Sequence, residues 1–173
     1  MVSLKKQNYI ENKKIFNCIE KELRKYLDNT IKIEHVGSTA IKNMYGKNII
    51  DILIGAKNKE EFNYINNILE NNMKYISSKK SKDSEYQFFS SIAGETSSGN
   101  IHVHVALENT DRYNDFLILR EYLLSNKEEA KKYSDVKRKI ISLGIEDRRE
   151  YKKIKTKYVS DLLNKIKSEL NYR

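Results

Sequence analysis

The sequence predicts an α+β fold in one domain spanning residues 1–173: a mixed β-sheet core over about 30–107, then a helical portion over about 111–171. Three observations carry this. Residues 31–36 (IKIEHV), 49–55 (IIDILIG) and 101–107 (IHVHVAL) are short runs rich in β-branched side chains. Beyond residue 110 such runs stop, and apolar residues recur at helical spacing. No internal repeat, low-complexity linker or break in composition divides the 173 residues, a length that suits one core.

In chain order, Leu4, Ile15, Ile19, Leu23 and Tyr26 predict an amphipathic helix over 4–27. Residues 31–36 alternate as a strand does. Gly37-Ser38-Thr39 then offers a turn and the N-cap of a helix. The nearly all-apolar run 49–55 fits the centre of a sheet, and 59–72 reads as a helix. Strands are predicted over 74–78 and 85–93. The polar segment GETSSGN, 94–100, joins the second of these to 101–107 as an antiparallel hairpin. Helices are predicted over 111–125, 127–143 and 147–171.

Composition narrows the function. No apolar run approaches the roughly 18 residues that span a bilayer, and no basic–apolar signal segment opens the chain, so no membrane partner is expected. A lone Cys18 forms no internal disulfide, which fits a reducing cytoplasm. The formal charge of +9 is unevenly spread. Residues 131–173 hold 14 Lys/Arg against 6 Asp/Glu, whereas 1–130 carry a net +1. A basic C-terminal quarter attracts phosphate-rich partners.

Four stretches carry chemistry. The Gly37-Ser38-Thr39 turn, if it starts a helix, aims free N–H groups and a positive dipole end at an anion such as phosphate; it is equally an ordinary N-cap. Asp51 lies in an apolar strand. Ile50, Ile52 and Ile54 form the core face, which puts Asp51 and Leu53 on the other. A carboxylate there needs a partner: a backbone N–H or Lys47, or else a metal or catalytic role. His102 and His104 share one strand face, and the whole chain has 3 histidines. If their strand neighbours that of Asp51, imidazole and carboxylate meet. Finally, Arg120, Lys137 and Lys155 interrupt the apolar stripes of their helices: Tyr113, Phe116, Leu117, Leu123 and Leu124; Ala130, Tyr133, Ile140 and Ile141; and Tyr151, Ile154, Tyr158, Leu162 and Ile166. Helical spacing turns these three cations inward, where they require either buried acids or a phosphorylated ligand.

The stretch HVGSTAI, then GKNIIDILIG, then HVHVAL, then FLILREYL and YKKIKTKYV, in that order, resembles the GrpB-like proteins of the nucleotidyltransferase superfamily that includes polymerase β. The resemblance covers about residues 30–160. It implies a nucleotidyltransferase-like sheet core in which Gly37 and Ser38 grip a triphosphate and Asp51 holds a divalent metal. The superfamily pattern has Asp-x-Asp, where this chain has Asp51 and Leu53; a later carboxylate is replaced by His102 and His104. One carboxylate with imidazoles is a poorer site for Mg²⁺ and a better one for Mn²⁺, Zn²⁺ or Fe²⁺. Where the family carries prolines before the Asp, this chain has Lys42, Asn43 and Asn48, which predicts a looser loop.

Two readings follow. In the first, the protein transfers a nucleotidyl group from a nucleoside triphosphate to an acceptor. Gly37, Ser38, Thr39, Lys47, Arg120, Lys137 and Lys155 bind the nucleotide, Asp51 and His104 hold Mg²⁺ or Mn²⁺ (Zn²⁺ as alternative), and Asp51, His102 and His104 are catalytic. In the second, the same fold binds a nucleotide or phosphometabolite without turnover. RNA binding through the basic C-terminal region ranks last, because its tyrosines lie on the apolar stripe rather than among exposed lysines. No motif indicates the acceptor, the base or an oligomeric state.

Overall fold

The computed structural model describes residues 3–91, 101–145 and 147–170, so GETSSGN and residues 92–93 of the predicted strand lie outside the described residues. The elements are β1 (Lys5–Lys6), α1 (Tyr9–Leu23), β2 (Lys32–Val36), a 3₁₀ turn (Ser38–Ala40), β3 (Tyr45–Gly46), β4 (Ile50–Ala56), α2 (Lys59–Asn67, continued by a π turn at Ile68–Asn72), β5 (Ile76–Lys82), β6 (Tyr86–Ser90), β7 (Ile101–Leu107), α3 (Asp111–Ser125), α4 (Lys127–Ser142) and α5 (Arg148–Glu169). The fold is α+β, as the sequence predicts.

Five strands form one mixed sheet in the order β2-β4-β7-β6-β5. β4 runs parallel to β7 and antiparallel to β2; β6 pairs with β7 as the expected antiparallel hairpin. Strand alternation gives the sheet two different faces. On one, Ile50, Ile52, Ile54, Val103 and Val105 pack with Phe16 and Leu23 of α1 and with Phe62 and Ile65 of α2. On the other, Leu53, Val36, Ala106 and Tyr86 meet Tyr113 of α3. Beside that second face α3, α4 and α5 share a core of Leu123, Ala130, Tyr133, Leu162 and Ile166, into which Ile41 and Met44 are anchored. Among the described residues no helix is long and apolar enough to cross a membrane.

Several expectations are corrected. The first helix starts at Tyr9, because the Asn8 side chain accepts a hydrogen bond from Glu11 N–H and caps it. Lys5–Lys6 instead pair with Tyr45–Gly46, and Leu4 packs with Ile140 and Tyr151. No full helix follows Gly37. The turn lasts one 3₁₀ round, because Ile41 is already extended (φ −120°, ψ 134°) and is anchored with Met44 against the C-terminal helices. Asn43 (φ 60°) and Asn48 (φ 59°) adopt left-handed conformations that proline, fixed near −65°, does not reach. Lys74 at φ 57° excludes the start of a strand at 74, so β5 begins at Ile76. Leu124 and Ile154, predicted on buried stripes, are exposed.

Candidate functional site

The site begins where β2 ends. Antiparallel register sets Val36 opposite Asp51, so the next residue, Gly37, lies against the Asp51 side chain. A Cβ built at Gly37 would sit 2.2 Å from Asp51 Oδ2, and Gly37 has φ +72°. Only glycine satisfies both the contact and the backbone. Parallel pairing then places His102 beside Asp51 and His104 beside Leu53. Asp51 Oδ1 lies 3.3 Å from His102 Nδ1 and 3.7 Å from His104 Nε2. Burial pushes the Asp51 carboxyl up, but hydrogen bonding and charge from the two imidazoles outweigh it and hold the group well below the usual carboxylate range. The Tyr86 hydroxyl lies 2.7 Å from His104 Nδ1. Burial pushes that hydroxyl up to about 12, so it stays protonated and can donate to Nδ1; that tautomer turns the Nε2 hydrogen toward Asp51.

The second wall comes from the helices. A cleft of about 130 Å³ is lined by Ser38 and Thr39, by Lys47 of the following loop, by Asp51 and His102, and by Lys137 and Lys155 from α4 and α5. Tyr133 and Tyr151 frame it. Lys137 is only 2% exposed. Its Nζ lies 2.9 Å from Ser38 Oγ and 4.5 Å from the centre of the Tyr133 ring. Burial, with Lys155 nearby, pushes the amine down to about 7, against the opposing pull of Asp51. Burial lowers Lys155 too, again opposed by Asp51. Neither lysine has a carboxylate within ion-pair distance among the described residues. Lys47 lies 4.5 Å over the Tyr151 ring. Among the described residues the charged lining is Lys47, Lys137, Lys155 and Asp51, and the two inward-facing lysines of the helices favour an anion.

Not every predicted residue reaches this cleft. Arg120 does not line it: one terminal nitrogen lies 2.7 Å from Glu34 Oε2 and 2.9 Å from the His35 carbonyl oxygen, so a half-buried acid satisfies this inward cation. His104 lies under Phe88 and Phe116, behind His102. Gly37 shapes the floor without lining it. Thr39 lines the cleft, but its hydroxyl donates to Ile49 O and sits 3.0 Å from His35 Nε2, which leaves Ser38 as the hydroxyl the turn offers. His35 itself stacks on Phe16 on the opposite sheet face, where burial pushes it down to about 4. Sequence reasoning missed Tyr86, Tyr133 and Tyr151. A signal existed for the last two: Tyr133 and Tyr151 each stand four residues before a cleft lysine, hence on the same helix face.

The residues fit a metal in one way only. Among the described residues no three His, Cys, Asp or Glu side chains converge as a ready metal site. Among the described residues, Asp51 is the single carboxylate lining the cleft. This donor set suits a hard cation that takes one protein carboxylate and completes its shell with water and substrate phosphate oxygens.

The family described as GrpB protein matches residues 5–165. The Glutamate-rich protein GrpB of Alkalihalophilus pseudofirmus is 26% identical over 156 residues, 89% of this chain and 90% of that one. The UPF0157 protein BH1888 of Halalkalibacterium halodurans is 25% identical over 154 residues, 88% of this chain and 76% of that one. The crystal structure of the conserved protein GrpB from Enterococcus faecalis superposes with a TM-score of 0.79 at 20% identity, covering 97% of this chain and 99% of that chain, and shares the fold.

Proposed function

The chain belongs to the GrpB family, and from that premise and the cleft's chemistry we propose that it is a divalent-metal-dependent nucleotidyltransferase acting on a nucleoside triphosphate. The observation that carries this is the meeting of Lys47, Lys137 and Lys155 with Asp51 and His102 around one small cleft beside a Gly-Ser turn. A volume of about 130 Å³ suits phosphate groups and leaves the nucleoside outside, because pockets that enclose whole small molecules start near 300 Å³.

The lysines neutralise and orient the phosphate chain. Asp51 would hold Mg²⁺ or Mn²⁺ together with phosphate oxygens; when bound, the cation supplies Lewis-acid polarisation of the reacting phosphate. An acceptor oxygen attacks the α-phosphorus, pyrophosphate leaves, and His102 takes the acceptor's proton. Tyr86 and His104 orient Asp51 from behind. The test is slow transfer to water. Protein incubated with a nucleoside triphosphate and Mn²⁺ should release nucleoside monophosphate and pyrophosphate, and Asp51→Asn or a chelator should stop it. Diphosphate and inorganic phosphate as products, or no turnover, contradict the reading.

One observation favours a second reading. Among the described residues a single carboxylate lines the cleft, whereas two-metal transfer uses more. A nucleotide or phosphometabolite sensor on this fold binds its ligand without turnover and with little dependence on metal.

A further inference from the structure

Ser38 and Lys137 meet in a way that phosphate binding alone does not require. Lys137 Nζ is 2.9 Å from Ser38 Oγ, a base within reach of a hydroxyl. The lysine is held in place by the Tyr133 ring. The serine is held by the backbone of Gly46, where any Cβ would come within 3.0 Å of Ser38 Cβ. Both line the cleft. A lysine bound only for charge is best solvated or paired with an acid; this one is 2% exposed, and its hydrogen-bond partner is a hydroxyl.

We propose that Ser38 and Lys137 are a nucleophile–base pair, and that Ser38 Oγ accepts a phosphoryl-type group from a phosphate ester or anhydride in the cleft. This rests on the phosphate reading of the cleft. The Oγ–P bond forms as the bond from phosphorus to its leaving oxygen breaks, and the leaving group departs with that electron pair. The Ser38 proton passes to the Nζ lone pair, and the resulting ammonium faces the new phosphoester. With a nucleoside triphosphate attacked at the α-phosphorus, pyrophosphate leaves and Ser38 carries the nucleotidyl group. An acceptor hydroxyl or water then attacks the phosphorus of this Ser38 ester, in place of a direct attack on the triphosphate: the new O–P bond forms as P–Oγ breaks, the Lys137 ammonium returns its proton to Ser38 Oγ, and the acceptor's own proton leaves to solvent.

The amine must be neutral to act. Burial and Lys155 of α5 press it that way, down to about 7, while Asp51 of β4 opposes them. Among the described residues, Lys47 of the loop, His102 of β7, Tyr133 of α4 and Tyr151 of α5 are the other titratable groups facing the cleft.

The test uses an uncharged fluorophosphonate, which needs neither nucleotide nor metal. Mass spectrometry should place the adduct on Ser38 of the full chain, and Lys137→Met should slow labelling by about a hundredfold, the scale of a lost general base. An unlabelled Ser38, or a Lys137→Met rate within about twofold of wild type, overturns the proposal. Ser38→Cys guards against a misfolded Lys137 variant. Its alkylation by iodoacetamide should have a midpoint well below the ordinary thiol value of about 8.5; a midpoint at or above that value overturns the pair. Labelling at Ser38 without any nucleotide turnover leaves the pair standing and removes the nucleotide reading, so the two failures are separable.

Discussion

Gly37 touches Asp51 so closely that neither can change alone. Gly37→Ala puts a methyl group where Oδ2 now lies and forces an L side chain to φ +72°. It should cost roughly 2–3 kcal/mol in urea unfolding and displace the carboxylate; a loss below about 0.5 kcal/mol would show that Asp51 relaxes freely. Lys137 makes a pH prediction. Its folded value is about 7 against 10.5 for an ordinary lysine. Below pH 7 it is charged in both states and the burial cost is complete. From pH 7 toward 10.5 the unfolded chain binds the extra proton, so stability rises with pH. Tyr86 and Tyr151, both pushed up to about 12, act oppositely above pH 10. Thermal melts should therefore climb from pH 7 to about 9.5, and Lys137→Met should flatten the climb. Equal slopes in the two proteins would mean that Lys137 is charged in the folded state. The residue types of the site were legible in the sequence, since Gly37, Ser38, Asp51 and the paired histidines stand out there. The contact of Gly37 with Oδ2 was not, because it depends on the register of β2 against β4.

At the scale of elements, three helices each turn one cation inward, and periodicity treats the three alike. Their fates differ because of what lies opposite. β2 brings Glu34 under α3, so Arg120 becomes a clamp between helix and sheet. Nothing acidic answers Lys137 or Lys155 at ion-pair distance among the described residues. Two substitutions separate these roles. Arg120→Ala leaves a half-buried carboxylate unpaired and should lower stability by about 2–3 kcal/mol, with triphosphate affinity changed less than about threefold. Lys155→Ala relieves repulsion and should leave stability unchanged or higher, while weakening triphosphate binding about tenfold. The reverse pattern would place the anion at Arg120. The sequence located these helices well, because their apolar stripes are regular, and Thr110 and Asp147 cap the starts of α3 and α5. It misjudged the Gly-Ser turn, whose helix is cut short by loop residues anchored elsewhere.

At the scale of the molecule, the site exists because strands distant in sequence are neighbours in the sheet. β4 and β7 lie side by side although two other strands intervene along the chain, and this pairing delivers His102 to Asp51. Local pattern identified the strands but not their order, since order is set by how both sheet faces are covered. The basic C-terminal quarter has a matching explanation. Lys137 and Lys155 face the cleft, while lysines such as Lys132 and Lys165 pair with Glu129 at the surface. Charge there builds one wall of a pocket that the sheet completes.

The central claim is that Asp51 and the lysines form one seat for a metal-bound phosphate chain. Calorimetric titration of a nucleoside triphosphate tests it most directly, with Mg²⁺, with Mn²⁺ and with chelator, on wild type and Asp51→Asn. The predicted result is binding that requires the metal and weakens at least about tenfold in Asp51→Asn. Binding of no triphosphate, or equal binding with chelator and in the variant, would contradict it.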